Sequence, residues 1–352
     1  MAVILPLTAR LNRLTDRSGA ARAIYCPMPE TPAAVEAKPV PVLSPPSHAE
    51  AARPESPMVD TMGGAERWTI PLHEHGFVAL VDAMPRLVPQ GQTADQAVVQ
   101  AARVSYGAGT KRVNEDRGLI RYLLRHEHTT PFEMVEFKFH VSMPIFVARQ
   151  WIRHRTANVN EYSGRYSVMP DRFYRVPIEE VRKQSTSNRQ GGEDTLDTSD
   201  ARELKTAEEF MAYLDQVEAL YASYESLIEN GVSRELARVG LPTSQFTQWY
   251  WKCDLHNILR FLKLRLDAHA QKEIREYAQA MHDLIAPIVP VTMEAWRDYH
   301  LESVRLTRLE IEAIAGMASG GSGEIDSDNK RETAEWQAKR ASLGLGLNAP
   351  TT

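Results

Sequence analysis

The sequence predicts an α+β domain set between two extensions that have little to bury. Residues 134–141 alternate apolar and polar side chains with the two-residue period of a half-buried strand. Apolar residues recur at steps of three and four around 119–124, 204–228 and 255–266, the period of amphipathic helices. Nine of the 21 prolines fall between Pro27 and Pro57, and a Ser-Gly-Gly-Ser-Gly run follows Ala318, so the ends lack both patterns. The chain therefore reads as a Pro/Ala-rich segment over 1–65, expected to be disordered, one folded domain over 66–317, and a polar tail over 318–352, also expected to be disordered.

With 41 basic against 46 acidic residues, a net charge of −5, composition gives no reason to expect a nucleic-acid partner. No apolar run is long enough to span a membrane, so the expectation is a soluble protein. Cys26 and Cys253 lie far apart, which argues against a disulfide framework or a structural zinc site and fits the cytoplasm. Arg10, Arg13, Arg17 and Arg22 give the first 22 residues a superficial likeness to a targeting segment, and Met58 and Met62 offer later starts.

Within the body, Phe77–Asp82 reads as a short strand, and a helix is expected from about Asp95. After the Gly107-Ala108-Gly109 turn, Asn114-Glu115-Asp116 supplies N-cap candidates for a helix with Leu119, Ile120, Leu123 and Leu124 on one face. In the strand over 134–141, Val135, Phe137, Phe139 and Val141 share the apolar side. Ser142 is expected to cap the next helix, with Pro144 in its first turn and Ile145, Phe146, Val147, Trp151 and Ile152 as apolar surface. Residues 178–202 read as a long polar loop, and 202–230 as a long amphipathic scaffold helix. Phe246–Trp251 is a strand candidate, and Asp254 is the N-cap candidate of a helix bearing Leu255, Ile258, Leu259, Leu262 and Leu266. On that helix His256, Arg260 and Lys263 form a basic stripe.

One stretch holds more polar chemistry than a core tolerates: Arg153-His154-Arg155-Thr156-Ala157-Asn158-Val159-Asn160-Glu161-Tyr162-Ser163-Gly164-Arg165-Tyr166-Ser167. It begins where a helix runs out, so the loop can wrap a ligand on a rigid support. Arginine forks suit phosphate or a nucleobase edge, and Trp151, Tyr162 and Tyr166 are candidate walls for a flat ligand. His126 and His128, separated by one glutamate at a helix end, do not have the same-face spacing of helical zinc ligands, so no metal is expected.

From its first arginine to its last this stretch closely resembles the signature of the flavin-dependent thymidylate synthases, R-H-R-x-x-S-x-N-E-x-S-x-R, with Asn158 where the pattern has serine. His128-Thr129-Thr130-Pro131-Phe132-Glu133 resembles the family's H-x-T-P-F-E, Leu264 to Arg275 its L-R-x-x-x-H-A-Q-x-E-I-R, and Ala237 to Pro242 its A-R-x-x-L-P. The resemblance covers roughly residues 75–300, with the motifs in order. It implies a mixed sheet flanked by helices, homotetramers with active sites between subunits, and reductive methylation of dUMP to dTMP. Methylenetetrahydrofolate would donate the carbon, and NADPH would supply the hydride through FAD. It also implies no cysteine nucleophile.

By motif position, Arg265 is implied to face the uracil, and Gln150, Arg153, Glu161, Tyr162, Ser163, Gly164, Arg165 and Arg238 to hold dUMP. Ser105, His128, Thr130, Glu133, Arg153, His154, Arg155, Glu161 and His269 are implied at FAD. So are Asp254, His256 and Arg260, where many members have Asn, Arg and Asn. Two rival readings are a non-catalytic nucleotide- or RNA-binding protein on the same fold and a metal-dependent hydrolase using His126, His128, His154 and His269. The first has no need of His128, Glu161 and Arg265 together, and the second calls for more acidic ligands near those histidines.

Overall fold

The computed structural model describes residues 68–345 apart from 87, 89–90, 106–115 and 187–190. The extension over 1–65, the glycine turn at 107–109 and the caps Asn114 and Glu115 lie outside the described residues. In chain order come β1 (Trp68–Leu72), β2 (Gly76–Met84), α1 (Asp95–Val104), α2 (Asp116–Arg125), a 3₁₀ turn (Thr130–Met134), β3 (Glu136–Pro144), α3 (Ile145–Trp151) and β4 (Asn158–Glu161). A 3₁₀ turn (Ile178–Glu180) follows, then β5 (Arg182–Gln184), β6 (Gly192–Thr195), α4 (Ala201–Glu229), α5 (Arg234–Ala237), β7 (Phe246–Asp254), α6 (Leu255–Arg265), α7 (Lys272–Ile285), α8 (Pro290–Trp296), α9 (Arg308–Ala318) and α10 (Lys330–Ser342).

Five strands form one sheet in the order β1-β2-β3-β7-β4. Every pairing is antiparallel, so the sheet is not the mixed one the resemblance implied. The reason is chain direction: β7 runs against both of its neighbours, β3 and β4, and no pair of adjacent strands requires a parallel crossover. Val135, Phe137, Phe139 and Val141 are all buried as expected, but within β3 the other face is open only at Glu136 and Lys138, since His140 and Ser142 are covered too. Opposite them on β7, Trp249, Trp251 and Cys253 close the same apolar face, against which α3, α6 and α7 pack.

Ser142 does not cap α3. Pairing with β2 on one side and β7 on the other carries β3 on to Pro144, which occupies the cap position itself. Ser142 is buried and its hydroxyl donates to the His75 carbonyl at 3.0 Å. Asp254 does cap α6, accepting from the Asn257 backbone N–H at 2.9 Å. The long polar loop contains the β5–β6 hairpin.

In α4 only Ala207, Leu214, Tyr221 and Tyr224 are buried, a narrow stripe, while Phe210, Tyr213, Leu220 and Leu227 stand exposed beside it. Beyond α9, the segment read as a disordered tail carries α10, whose N-cap Asn329 accepts from the Arg331 and Glu332 amides. One residue explains that helix: the Trp336 indole is fully buried and donates to the Gly323 carbonyl at 2.8 Å, which pins α10 across the glycine run. Among the described residues no helix is long and apolar enough to cross a membrane, and no group of three or more His, Cys, Asp or Glu side chains is placed to hold a metal ion.

Candidate active site

The sequence-predicted site residues fall into three groups. The first forms where α3 ends against the last turn of α6. Trp151 is entirely buried, stacked on Phe261 at 4.7 Å and edge-on to Trp249 and Trp251 at 5.6 and 5.8 Å. It is therefore a core anchor and cannot wall a ligand. That anchor fixes the chain at the point where the polar loop departs. Three residues on, the His154 ring stands edge-on to Phe261 at 4.9 Å. Arg265, from the end of α6, donates through Nε to His154 Nε2 at 3.0 Å and through Nη2 to the Gln150 carbonyl at 3.2 Å. Burial, then the neighbouring Arg265 and Arg260 cations, push the His154 imidazolium down to about 4, so the ring is neutral at neutral pH. Burial also lowers Arg265, which stays charged. The Gln150 amide donates to Gln271 Oε1. Arg153 and Arg155 are exposed and form no ion pair with a described residue.

The second group surrounds a cavity of about 340 Å³ lined by Glu161, Tyr162, Gly164, Arg238 and Thr247 among others. β4 presents Glu161 across from Trp249, and Glu161 Oε1 accepts from the Thr247 hydroxyl at 2.8 Å. The Tyr162 amide donates to the Gln248 carbonyl at 2.8 Å and its hydroxyl to Val168 O at 2.7 Å, so this ring is tethered with part of its face in solvent. Tyr166 is largely exposed and lines no part of the cavity. Gly164 sits where a Cβ would lie 2.9 Å from Met169 Sδ and 3.1 Å from Arg238 Cδ, so the absent side chain leaves Arg238 its place. Arg165 reaches Glu235 at 3.6 Å and its amide approaches Ser163 Oγ at 3.4 Å.

The third group is dispersed around α1, α2 and α6. Ser105 is exposed at the end of α1. Thr130 and Glu133 lie in the 3₁₀ turn that packs on α1 and α6, with His128 just before it, 5.9 Å from the exposed Tyr122 ring. Both Asp254 oxygens are taken by Asn257, through its backbone N–H at 2.9 Å and its side-chain amide at 2.8 Å. His256 is half-buried and Arg260 exposed on α6. His269 is exposed, with Nδ1 2.8 Å from Asp267 Oδ1.

The structure thus unites Gln150, His154 and Arg265, and separately Glu161, Tyr162, Gly164 and Arg238. None of Gln150, Arg153, His154 and Arg265 lines the cavity. The motif reading missed Thr247, whose hydroxyl orients Glu161, and Gln271, the partner of Gln150. Thr247 carries no sequence signal beyond its place in an aromatic strand. Chemically, the arrangement offers cations and amide and hydroxyl groups to an anionic, hydrogen-bonding ligand, and the one cysteine among the described residues is not an activated nucleophile. Cys253 is buried, and its thiol is pushed up to about 12 by burial first and the adjacent Asp254 second.

Residues 86–291 match the family model of the thymidylate synthase complementing protein. The chain is 62% identical over 294 residues to the flavin-dependent thymidylate synthase of Dictyostelium discoideum, covering 84% of this chain and 93% of that protein. It is 50% identical over 250 residues to an enzyme of the same description from Thermus thermophilus, covering 71% of this chain and 86% of that protein. Among solved structures it resembles a UMP/dUMP methylase, PolB, from Streptomyces cacaoi bound with 5-Br UMP. The TM-score is 0.55 and the identity 31%, over 64% of this chain and 96% of that one.

Proposed function

The chain belongs to the family of flavin-dependent thymidylate synthases, and from that premise we propose how its residues carry out the reductive methylation of dUMP to dTMP. The observation that carries the assignment of residues is the convergence of Glu161, Gly164 and Arg238 on one cavity. Arg238, with Arg165 beside it, supplies charge-assisted hydrogen bonds to the nucleotide phosphate, and Gly164 allows the backbone to approach it closely. Glu161, steadied by Thr247, accepts from the nucleotide. Arg265 faces the uracil and stabilises charge developing on its carbonyl and ring nitrogen.

For FAD, the exposed cations Arg155 and Arg260 and the Tyr122 and His128 rings are chemically suited to a diphosphate and a flat ring system. Asp254 fits as a helix cap, since Asn257 takes both of its oxygens. Ser105, Thr130, Glu133 and His269 complete the proposed flavin surroundings. When bound, FAD supplies the redox chemistry, with NADPH as reductant and methylenetetrahydrofolate as carbon donor. The protein's own part is to bind, orient and polarise the nucleotide.

The cavity and the Arg265 cluster have no residue in common, which supports a nucleotide site shared between copies of the chain. The proposed assembly is a homotetramer in which the two groups meet across subunits. The exposed stripe Phe210, Tyr213, Leu220 and Leu227 on α4 is apolar surface of the kind such an assembly covers. The proposed setting is the cytoplasm, which suits a chain whose Cys253 thiol is free and buried.

The test is a visible spectrum of the purified protein, followed by anaerobic addition of NADPH with and without dUMP. A yellow protein that bleaches faster with dUMP, and forms dTMP once methylenetetrahydrofolate is added, is the expected result. A colourless protein that takes up no FAD yet binds dUMP would instead identify a non-catalytic nucleotide binder.

A further inference from the structure

We propose that His154 is a positioning residue for Arg265: through its neutral Nε2 it fixes which edge of the guanidinium meets the substrate. This deepens the reading of Arg265 as the uracil-facing group and rests on it.

Guanidinium carries five N–H donors in one plane, arranged as a side edge (Nε and Nη2) and an end edge (Nη1 and Nη2). In Arg265 the side edge is spent on the protein, with Nε on His154 Nε2 at 3.0 Å and Nη2 on the Gln150 carbonyl at 3.2 Å. Both acceptors are held rigidly. The Gln150 carbonyl belongs to the last turn of α3, past the reach of the i+4 ladder, and also accepts from the Arg153 amide at 3.4 Å, which fixes its direction. The His154 ring rests edge-on against Phe261, which stacks on the buried Trp151. A line of packing thus runs from the core through Phe261 and His154 to the guanidinium. The end edge, two parallel N–H donors, stays available for two neighbouring acceptors on a planar ring. A uracil carbonyl is one such acceptor, and the adjoining ring nitrogen, an N–H donor in the neutral base, becomes the second only as it gives up its proton, so the edge suits the ring as negative charge develops on it.

The arrangement works in one protonation state only. Nε2 accepts a hydrogen bond when the ring's single proton is on Nδ1, whereas an imidazolium would point an N–H at the guanidinium. Burial and the flanking Arg265 and Arg260 cations keep the ring neutral. The motif histidine therefore acts through an arginine 111 residues away, and it need not touch FAD.

The test compares His154→Leu, His154→Gln and His154→Asn in the FAD-loaded enzyme. Glutamine can place Oε1 near the position of Nε2, and asparagine is too short to do so. We expect H154L to retain bound flavin and its KM for dUMP within about threefold, while kcat falls about 100-fold, the scale of a misplaced reacting contact. H154Q should recover to within about tenfold of the original enzyme and H154N should not. The double variant H154L/R265A should be no slower than R265A alone, since the histidine acts only through the arginine. Should H154L fail to fold, the H154Q and H154N pair decides. Equal activity of H154Q and H154N, additive losses in the double variant, or loss of flavin from H154L with kcat intact would each overturn the proposal. An unmodified protein that binds dUMP but forms no dTMP would defeat the functional reading itself, and the proposal with it.

Discussion

Arg265→Ala is the sharpest test of the proposed chemistry, because the structure separates what the change removes from what it leaves. The guanidinium is half-buried and has two polar partners, His154 Nε2 and the Gln150 carbonyl. Truncation leaves His154 Nε2 without its donor, while the Gln150 carbonyl keeps the Arg153 amide at 3.4 Å, and both border a partly exposed site where water can replace the lost N–H groups. The stability cost is then about 1 kcal/mol, or roughly 2–4 °C in Tm for a domain of this size. The catalytic cost is much larger. Removing one preorganised donor from a site of developing charge costs about 10²–10³ in rate. An end edge with two donors therefore implies a loss in kcat of at least about 10³. Flavin occupancy should be unchanged. The assay is tritium release from dUMP labelled on the uracil carbon that accepts the methyl group, run beside the flavin absorbance of the same preparation and a thermal melt. Turnover within about tenfold of the unmodified enzyme, or loss of flavin with turnover intact, would refute the assignment of Arg265 to the uracil.

The other predictions concern the cavity, the scaffold and pH. Gly164→Ala places a Cβ 2.9 Å from Met169 Sδ and 3.1 Å from Arg238 Cδ, so the arginine must shift; dUMP binding by calorimetry should weaken about tenfold while Tm changes little. Asp95, almost fully buried on α1, accepts from the Val291 and Thr292 amides at 2.9 and 3.0 Å and so caps α8 from a distant element. Asp95→Ala leaves those donors buried and unpaired, at a cost of about 3 kcal/mol, read as a fall in Tm of roughly 6–12 °C. For pH, His154 has its folded-state pKa lowered from 6.5 to about 4. Between those values the unfolded chain binds the proton and the folded one does not, so stability falls as pH falls through that window. The full shift corresponds to roughly 3 kcal/mol, and because water reaches part of the ring about half of that, about 1.5 kcal/mol, is expected. Urea unfolding of the unmodified protein and of His154→Gln at pH 7 and pH 4.5 should show that difference, and parallel losses in the two would contradict it.

Much of the framework was legible in the sequence, because each legible element has one dominant local cause. The alternation Val135, Phe137, Phe139 and Val141 is period-two burial, and it holds in β3 as far as Phe139, beyond which His140 and Ser142 on the other face are buried as well. Asp254 reads as a cap because a short acceptor precedes an apolar helical run, and it caps α6. Ser142 has the same residue-level signal, but strand pairing on both sides overrides it. Trp151 reads as a wall for a ligand because it borders the polar loop, yet its place in the short α3 turns it into the core. In the tail, one tryptophan among many polar residues is enough to hold a helix, a long-range contact that composition does not show. At the site, the motifs name the residues, but not which of them meet. The contact between His154 and Arg265 spans 111 positions, and that between Thr247 and Glu161 spans 86, so neither leaves a spacing to read.

The indole cluster behind the polar loop has a practical consequence. Trp151, Trp249 and Trp251 are shielded from water; Trp151 and Trp251 pack on Phe261, which meets His154, and Trp249 packs on Trp151. Shielded indoles emit in the near ultraviolet, where oxidised isoalloxazine absorbs. A yellow cofactor seated near this wall would take up their excitation and dim the emission. Titrating apoprotein with FAD would then give a binding curve without any added dye. The same optical signal would follow release of the cofactor in each of the variants described above.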